Sequence, residues 1–279
     1  MNKLKITILS ENNTSKSGLL AEHGLSFLIE YQEQKIIFDT GQGLVLEHNA
    51  KQLGYNLNNI NSIILSHGHY DHSGSLKTVT DSMNKGDIYL HPDAIQKKYI
   101  KKLQGSMKDI SIPWFDQEYL NKKEIQIHWT KGSTKIIKDM YVTGEIPRKN
   151  NFEDVGNNFL KNKEASKKDE LKDDQAIYFE TDKGVVVLLG CAHSGVINTL
   201  EYICDVAKTK QIHAVIGGMH LRNASQTRLE NSVSIFNKLN IDIIAPGHCT
   251  GFKAKAYIYN HFKGIFKDLE VGSNFTFIN

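Results

Sequence analysis

His67-Gly68-His69-Tyr70-Asp71-His72 places four potential metal ligands within six residues, directly after the apolar segment Ser62-Ile63-Ile64-Leu65. At an extended strand end, side chains two residues apart point the same way, so His67 and His69 can grip one cation together. Asp71 and His72 follow where the chain is expected to turn into a helix opened by Ser73-Gly74, and they project toward a second position. Imidazole nitrogens with a single carboxylate suit zinc or a similar first-row divalent ion better than calcium or magnesium. The stretch reads as a metal site, and as one for two ions.

The chain around it has 279 residues, enough for one large domain or two small ones. Hydrophobic residues make up 40%, which supports a substantial core and argues against disorder. Lys and Arg total 34 against 31 Asp and Glu, for a net charge of +3, so nothing points to nucleic acid as a partner. Cys191, Cys204 and Cys249 cannot all pair internally, which fits a reducing compartment. The start Met1-Asn2-Lys3-Leu4-Lys5 lacks the pattern of a signal peptide, and the longest apolar run, Val185 to Leu189, is too short to span a bilayer. A cytoplasmic protein with no membrane partner is expected, while its oligomeric state stays open.

Alternating or apolar runs predict early strands over Lys3–Leu9, Leu25–Tyr31 and Lys35–Phe38, the last two joined as a hairpin across Gln32-Glu33-Gln34. Helical spacing over Leu44–Leu53 stops at Gly54, and a further helix is expected over Leu76–Met83. The second half alternates strands (Ile125–Trp129, Thr134–Ile137, Met140–Thr143, Ala176–Glu180, Val185–Leu189, Ala214–Ile216, Ile241–Ala245) with helices over Val196–Ala207, Gln226–Leu239 and Lys253–Phe266. Each half thus supplies strands and helices, as two sheets packed face to face with helices outside would require. Lys97–Pro113, which is basic, and the charged run Asn157–Asp174 interrupt this scaffold. They read as solvated surface, or alternatively as a mobile flap over the metals.

Three later strands also end in ligand-type residues: Gly190-Cys191-Ala192-His193-Ser194-Gly195, Gly217-Gly218-Met219-His220 and Pro246-Gly247-His248-Cys249-Thr250-Gly251. Strand ends along one sheet edge converge in space, so these segments are candidates to join the first cluster. His248, His193 and Cys191 are candidate ligands, and His220 is open between ligand, proton donor and substrate contact.

With these motifs assembled, the chain resembles the metallo-β-lactamase superfamily. His67-x-His69-x-Asp71-His72, Phe38-Asp39-Thr40-Gly41 and Pro246-Gly247-His248 carry the resemblance across nearly the whole length. It implies an αβ/βα sandwich of two mixed sheets flanked by helices, one domain over 1–279 with insertions near 97–113 and 157–174. It also implies that His67 and His69 hold a first metal, Asp71 and His72 a second that His248 closes, and that Asp39 orients the His loop from behind. Ala21-Glu22-His23-Gly24-Leu25-Ser26, Gly144-Glu145-Ile146-Pro147-Arg148, Gly190 to Gly195 and His248 to Gly251 resemble one branch in particular. That branch includes dihydropterin–ribofuranosylaminobenzene phosphate synthases of methanopterin biosynthesis.

The pattern departs from the superfamily at two places. Leu171-Lys172-Asp173-Asp174-Gln175 holds no histidine where the first metal usually finds its third, and Cys191 stands where a bridging aspartate is usual. Asp174 or His193 is left to complete the first site, and His193 is favoured. The expected chemistry is Lewis-acid hydrolysis of a small phosphorylated or ester-containing metabolite, with two divalent ions, zinc first and manganese or iron as alternatives. Asp71 would orient the nucleophile, His220 would donate a proton, Arg148 would clamp a phosphate, and His23 would reach the substrate. The competing readings are a transferase that displaces diphosphate, and a metal-dependent binding or sensor protein without turnover.

Overall fold

In a computed structural model, which describes residues 3–102, 104–156 and 159–278, the chain forms two compact units. The first comprises residues 1–129, 158–173 and 270–279, and the second residues 130–157 and 174–269. Along the chain the strands are β1 (Lys3–Ser10), β2 (Ser26–Tyr31), β3 (Gln34–Phe38), β4 (Ser62–Ile64), β5 (Gly86–Leu90), β6 (Tyr99–Lys101), β7 (Met107–Asp109) and β8 (Ile125–Trp129). They continue as β9 (Thr134–Ile137), β10 (Met140–Val142), β11 (Phe159–Leu160), β12 (Ala176–Thr181), β13 (Gly184–Leu189), β14 (Ile212–Gly218), β15 (Ile243–Gly247), β16 (Ile265–Phe266) and β17 (Asn274–Ile278). Helices are α1 (Leu46–Gln52), α2 (Tyr70–Ser73), α3 (Leu76–Ser82), α4 (Gln117–Lys122), α5 (Val196–Ala207), α6 (Gln226–Lys238) and α7 (Phe252–His261).

Both units use the same sheet plan. The first holds a seven-stranded sheet in the order β17-β1-β2-β3-β4-β5-β8, and the second one in the order β16-β15-β14-β13-β12-β10-β9. In the first, β17 through β3 pair antiparallel and β3 through β8 pair parallel. In the second, β9 through β13 pair antiparallel and β13 through β16 parallel. Parallel strands need crossovers and are covered by helices, so their sequences become continuously apolar. Val185 to Leu189 of β13 is wholly buried, as that rule requires. Its core gathers Val187, Leu200, Ile203, Val215, Phe236 and Ile258. The first unit has its own core around Leu28, Ile37, Ile63, Val79, Ile88 and Leu120.

The β2–β3 hairpin turns through Gln32 and Glu33, whose φ values of 49° and 63° are those of a tight turn matched to strand twist. Three expectations are corrected. The last helix ends at His261 rather than Phe266, and Ile265–Phe266 forms an edge strand on β15. The C-terminal strand β17 was not anticipated, and it closes the first sheet by pairing with β1. The helix at the His cluster starts at Tyr70, so it contains Asp71 and His72 instead of following them.

The charged segments 97–113 and 157–174 are exposed over stretches such as 104–106 and 163–168 but are not wholly solvated, and residues 103, 157 and 158 lie outside the described residues. β6, β7 and β11 form a small antiparallel sheet in the order β11-β6-β7. Lys98 is buried there, and its Nζ donates to Asp169 Oδ2 at 3.1 Å and Asp173 Oδ1 at 2.8 Å. Burial alone would lower the Lys98 pKa, but the two carboxylates raise it on balance. Asp173 is opposed by burial and held low by Lys98 and by the Gly68 amide. The ion group therefore contributes stability between the two titrations. That contribution is lost in acid as Asp173 protonates through its depressed pKa, and in strong base as Lys98 deprotonates through its raised one.

Lys98→Ala leaves two buried carboxylates without their cation. It is expected to lower stability in urea unfolding by about 3–5 kcal/mol. Lys98→Met combined with Asp169→Asn and Asp173→Asn should recover much of that loss. An Ala variant as stable as the parent would show that the group is not held as described.

Candidate metal centre

In the first unit, β4 runs through Leu65 and Ser66 into the histidines, tied by Leu65 N–H to Tyr89 O and by Asp39 N–H to Ile64 O. Asp39 ends β3 with φ 58°, a left-handed conformation that Asp and Asn tolerate better than other side chains. Its fully buried carboxylate accepts three hydrogen bonds. Ser66 N–H reaches Oδ1 at 2.6 Å, Ser66 Oγ–H reaches Oδ2 at 2.6 Å, and His72 Nδ1 reaches Oδ2 at 2.7 Å.

This network assigns the tautomers. Ser66 gives its single hydroxyl proton to Asp39, so the 2.8 Å contact between its Oγ and His67 Nδ1 requires a proton on Nδ1. An ionised Asp39 likewise requires a proton on His72 Nδ1. Both rings then present an Nε2 lone pair, which is the arrangement a metal-binding histidine takes when its other nitrogen is anchored.

His67 Nε2 lies 2.9 Å from His69 Nδ1. Two nitrogens at that separation can each lie about 2.0–2.1 Å from one cation between them, the usual zinc–imidazole distance. Burial pushes His69 down to about 3, so the ring stays neutral, the form that ligation requires. Gly68 is obligatory, because a Cβ there would lie 1.9 Å from Ala94 O. Its N–H donates to Asp173 Oδ2 at 2.8 Å, a second carboxylate anchor for the loop besides Asp39. Phe159 of β11 stacks obliquely on the His69 ring, with centroids 5.1 Å apart.

Asp71 stands at the edge of this cluster, and His23 Nε2 approaches its Oδ2 at 3.2 Å. The intervening chain is held by buried Glu22, which accepts from Ser10 Oγ, Gln42 N–H and Leu44 N–H. Glu22 thereby fixes the loop after Asp39, a role that its place in Ala21–Ser26 did not reveal.

In the second unit, three parallel strands deliver Cys191, His193, His220 and His248. Cys191, His193 and His248 are buried, and His220 is half-buried. The His193 and His220 rings lie 4.4 Å apart between centroids. Ligand atoms of Cys191, His193 and His220 fall within 4.8 Å of one another, and so do those of Cys191, His248 and Cys249. Asp174 Oδ2 accepts Ser194 N–H at 2.8 Å and so buttresses the loop that carries His193.

Glu153 fixes the far end of that loop by accepting Ile197 N–H and Asn198 N–H at 3.0 and 2.9 Å. The N-terminus of α5 is therefore already filled by the chain's own carboxylate. Ala192, His220 and His248 have φ of 56°, 48° and 48°. Non-glycine residues in this region store strain, and such strain concentrates at functional sites. Arg148 is exposed on the segment after Ile146-Pro147.

Cys249 was not among the residues singled out from sequence, although it adjoins His248. His220 N–H donates to its Sγ at 3.3 Å, and the thiol reaches Cys191 O at 3.5 Å. Burial opposes ionisation of Cys249, yet the bonds with Cys191 and His220 and the charges of His248 and His220 hold its pKa well below the ordinary thiol value. The donor sets of imidazole, carboxylate and thiol fit divalent first-row ions.

Among the described residues, no helix is long and apolar enough to cross a membrane. The family model of the metallo-β-lactamase superfamily matches residues 20–248. An uncharacterized protein of Methanocaldococcus jannaschii is 34% identical over 258 residues, covering 90% of this chain and 95% of that protein. The 7,8-dihydropterin-6-methyl-4-(β-D-ribofuranosyl)-aminobenzene-5'-phosphate synthase of the same organism is 29% identical, covering 99% and 98%. A solved structure of a metal-dependent hydrolase of the β-lactamase superfamily superposes with a TM-score of 0.81, at 28% identity and 98% coverage of each chain. With its mixed sheets, its helices and its His, Asp and Cys groups able to bind metal, this chain belongs to the metallo-β-lactamase superfamily of metal-dependent enzymes.

Proposed function

We propose that the chain is a metal-dependent hydrolase of a small anionic phosphorylated or ester-containing metabolite. Its ligands would be His67, His69, Asp71 and His72 from the first unit, and Cys191, His193 and His248 from the second. The observation that carries the reading is the Asp39–Ser66 network, which spends a buried carboxylate on orienting His67 and His72 so that both present Nε2. A core with no ligand to serve would have little use for a buried anion satisfied in this way.

Two divalent cations, zinc by preference, would supply Lewis-acid polarisation and charge stabilisation in the transition state. The chain's own groups do the rest. Asp71, aligned by His23 at 3.2 Å, orients the attacking nucleophile. His220 gives a proton to the leaving oxygen, and the exposed Arg148 clamps an anionic group bidentately.

One observation favours a second reading. The synthase relative matches 99% of this chain, so the same residues could serve displacement of diphosphate by an arylamine. In that case His220 would protonate the departing phosphate oxygen and no water would be needed as nucleophile.

Asp39→Asn keeps a side chain that tolerates the left-handed backbone but removes the anion. Metal affinity, measured by chelator competition, should fall by about 10–100-fold. Unchanged affinity would remove the main support for the proposal.

The metal-loaded protein should release phosphate or alcohol from phosphate esters faster than it opens lactones or β-lactams. Arg148→Ala should raise KM for the anionic substrates and leave metal content as it was. Diphosphate release from a pterin-methyl diphosphate that depends strictly on added arylamine, with no hydrolysis, would select the transferase. Equal turnover of charged and neutral esters, insensitive to Arg148, would rule out phosphate recognition.

A further inference from the structure

Cys249 stands apart from the ligand set proposed above, yet it occupies a built position. Its Sγ lies within 4.8 Å of both the Cys191 sulfur and a ring nitrogen of His248. We infer that Cys191, Cys249 and His248 form a thiolate-rich seat for one thiophilic divalent cation, with Cys249 as a ligand in its own right. The inference rests on the metal dependence proposed above and extends it to the kind of ion the second unit selects.

Three features of the second unit support it. First, Gly218 leaves room for the sulfur, since a Cβ there would lie 2.8 Å from Cys249 Sγ, 2.3 Å from Gly190 O and 3.3 Å from Cys191 Cα. Any larger residue at 218 would displace the thiol from its neighbours. Second, His220 N–H points at the sulfur from 3.3 Å, a contact that stabilises a thiolate lone pair without occupying a ring nitrogen. Third, β14 and β15 pair in parallel through Gly218 and Gly247, so two rigid strands set the positions of the 218–220 and 248–250 segments. Thr250 adds a further tie by accepting Met219 N–H at 3.1 Å through its Oγ1. Sulfur aimed by sheet register rather than by a loose loop is positioned as a ligand must be.

Two thiolates and an imidazole are soft and borderline donors. They favour zinc, cobalt(II), cadmium or iron(II) over magnesium and manganese, which prefer oxygen. Loading releases one proton from each thiol that ligates, so metal–sulfur bonds replace two S–H bonds with no change of oxidation state. The third cysteine, Cys204, lies on α5 outside this group and serves as the internal control.

The test is cobalt(II) titration of the full chain, followed by thiolate-to-cobalt charge-transfer absorption in the near ultraviolet. Wild-type protein should show the band at saturating metal. Cys249→Ser and Cys191→Ser should each remove about half of its intensity, since the band scales with the number of cobalt–sulfur bonds. The double variant should abolish it, and Cys204→Ser should leave it intact.

A second measurement needs no variant. Zinc should protect Cys191 and Cys249, and not Cys204, from alkylation read by mass spectrometry. Cobalt bound without the band, or a band unchanged in Cys249→Ser with alkylation of Cys249 indifferent to zinc, overturns the dithiolate seat and leaves the histidine ligands of the first unit standing. Absence of any bound cobalt or zinc overturns both this inference and the proposed metal dependence.

Discussion

The buried carboxylate of Asp39 is the constraint from which the histidine cluster follows. A carboxylate taken out of water is costly unless its oxygens are satisfied, and Asp39 is satisfied by the loop it organises. Ser66 supplies both its amide and its hydroxyl, and His72 supplies a ring N–H from the next helix. One anion thereby fixes the end of β4, the tautomer of His67 and the rotation of His72. Asp173 adds a second anchor through the Gly68 amide, and Lys98 holds Asp173 in turn. The histidine loop is thus tied to two buried carboxylates, of which Asp39 relies on the loop and on His72 for its hydrogen bonds, whereas Asp173 also has Lys98.

The sheet plan explains why ligands fall where they do. In each unit three antiparallel pairings give way to three parallel ones, and the polar residues follow the carboxyl ends of the parallel strands. Asp39 follows β3, the histidine loop follows β4, Cys191 follows β13, His220 follows β14 and His248 follows the end of β15. Parallel strand ends are where an open α/β sheet can present side chains without interrupting its own hydrogen bonding. The left-handed conformations of Asp39, Ala192, His220 and His248 are a consequence. At each of these positions the backbone turns sharply just past the end of a buried strand, and the strain is borne by the packed strands beneath.

The legible parts of the sequence were those in which the signal is local. Helix α5 matches its expected span because apolar periodicity and the glycine before it lie within one short window. The β2–β3 hairpin was legible for the same reason, as was the placing of Cys191, His220 and His248 just past strand ends. The sheet of β6, β7 and β11 was not, because its organising contacts join Lys98 to Asp169 and Asp173, 71 and 75 residues away. A lysine among lysines reads as solvated surface until its distant partners are known. β17 did carry a local signal, since Phe275 and Phe277 are buried between exposed neighbours, but five residues at a chain end are short evidence. The overrun of the last helix passed through Gly264, where a Cβ would lie 2.6 Å from Ile241 O. Close packing of that kind leaves no trace in periodicity.

The donor atoms divide the chain chemically. The first unit offers imidazole and carboxylate, anchored by carboxylates behind them. The second adds sulfur, aimed by strand register and by the His220 amide. Oxygen and imidazole accommodate several divalent ions, whereas thiolates narrow the choice to thiophilic ones. A hydrolase needs a cation that polarises oxygen and exchanges water readily, and a transferase needs one that steadies a departing diphosphate. Either demand is met by a borderline ion such as zinc, whose flexible coordination tolerates both sulfur and phosphate oxygen. Ligand chemistry therefore constrains the metal more tightly than it constrains the reaction. The same donor atoms serve a water nucleophile and a departing diphosphate alike, so the choice between the two reactions lies with the nucleophile rather than with the metal.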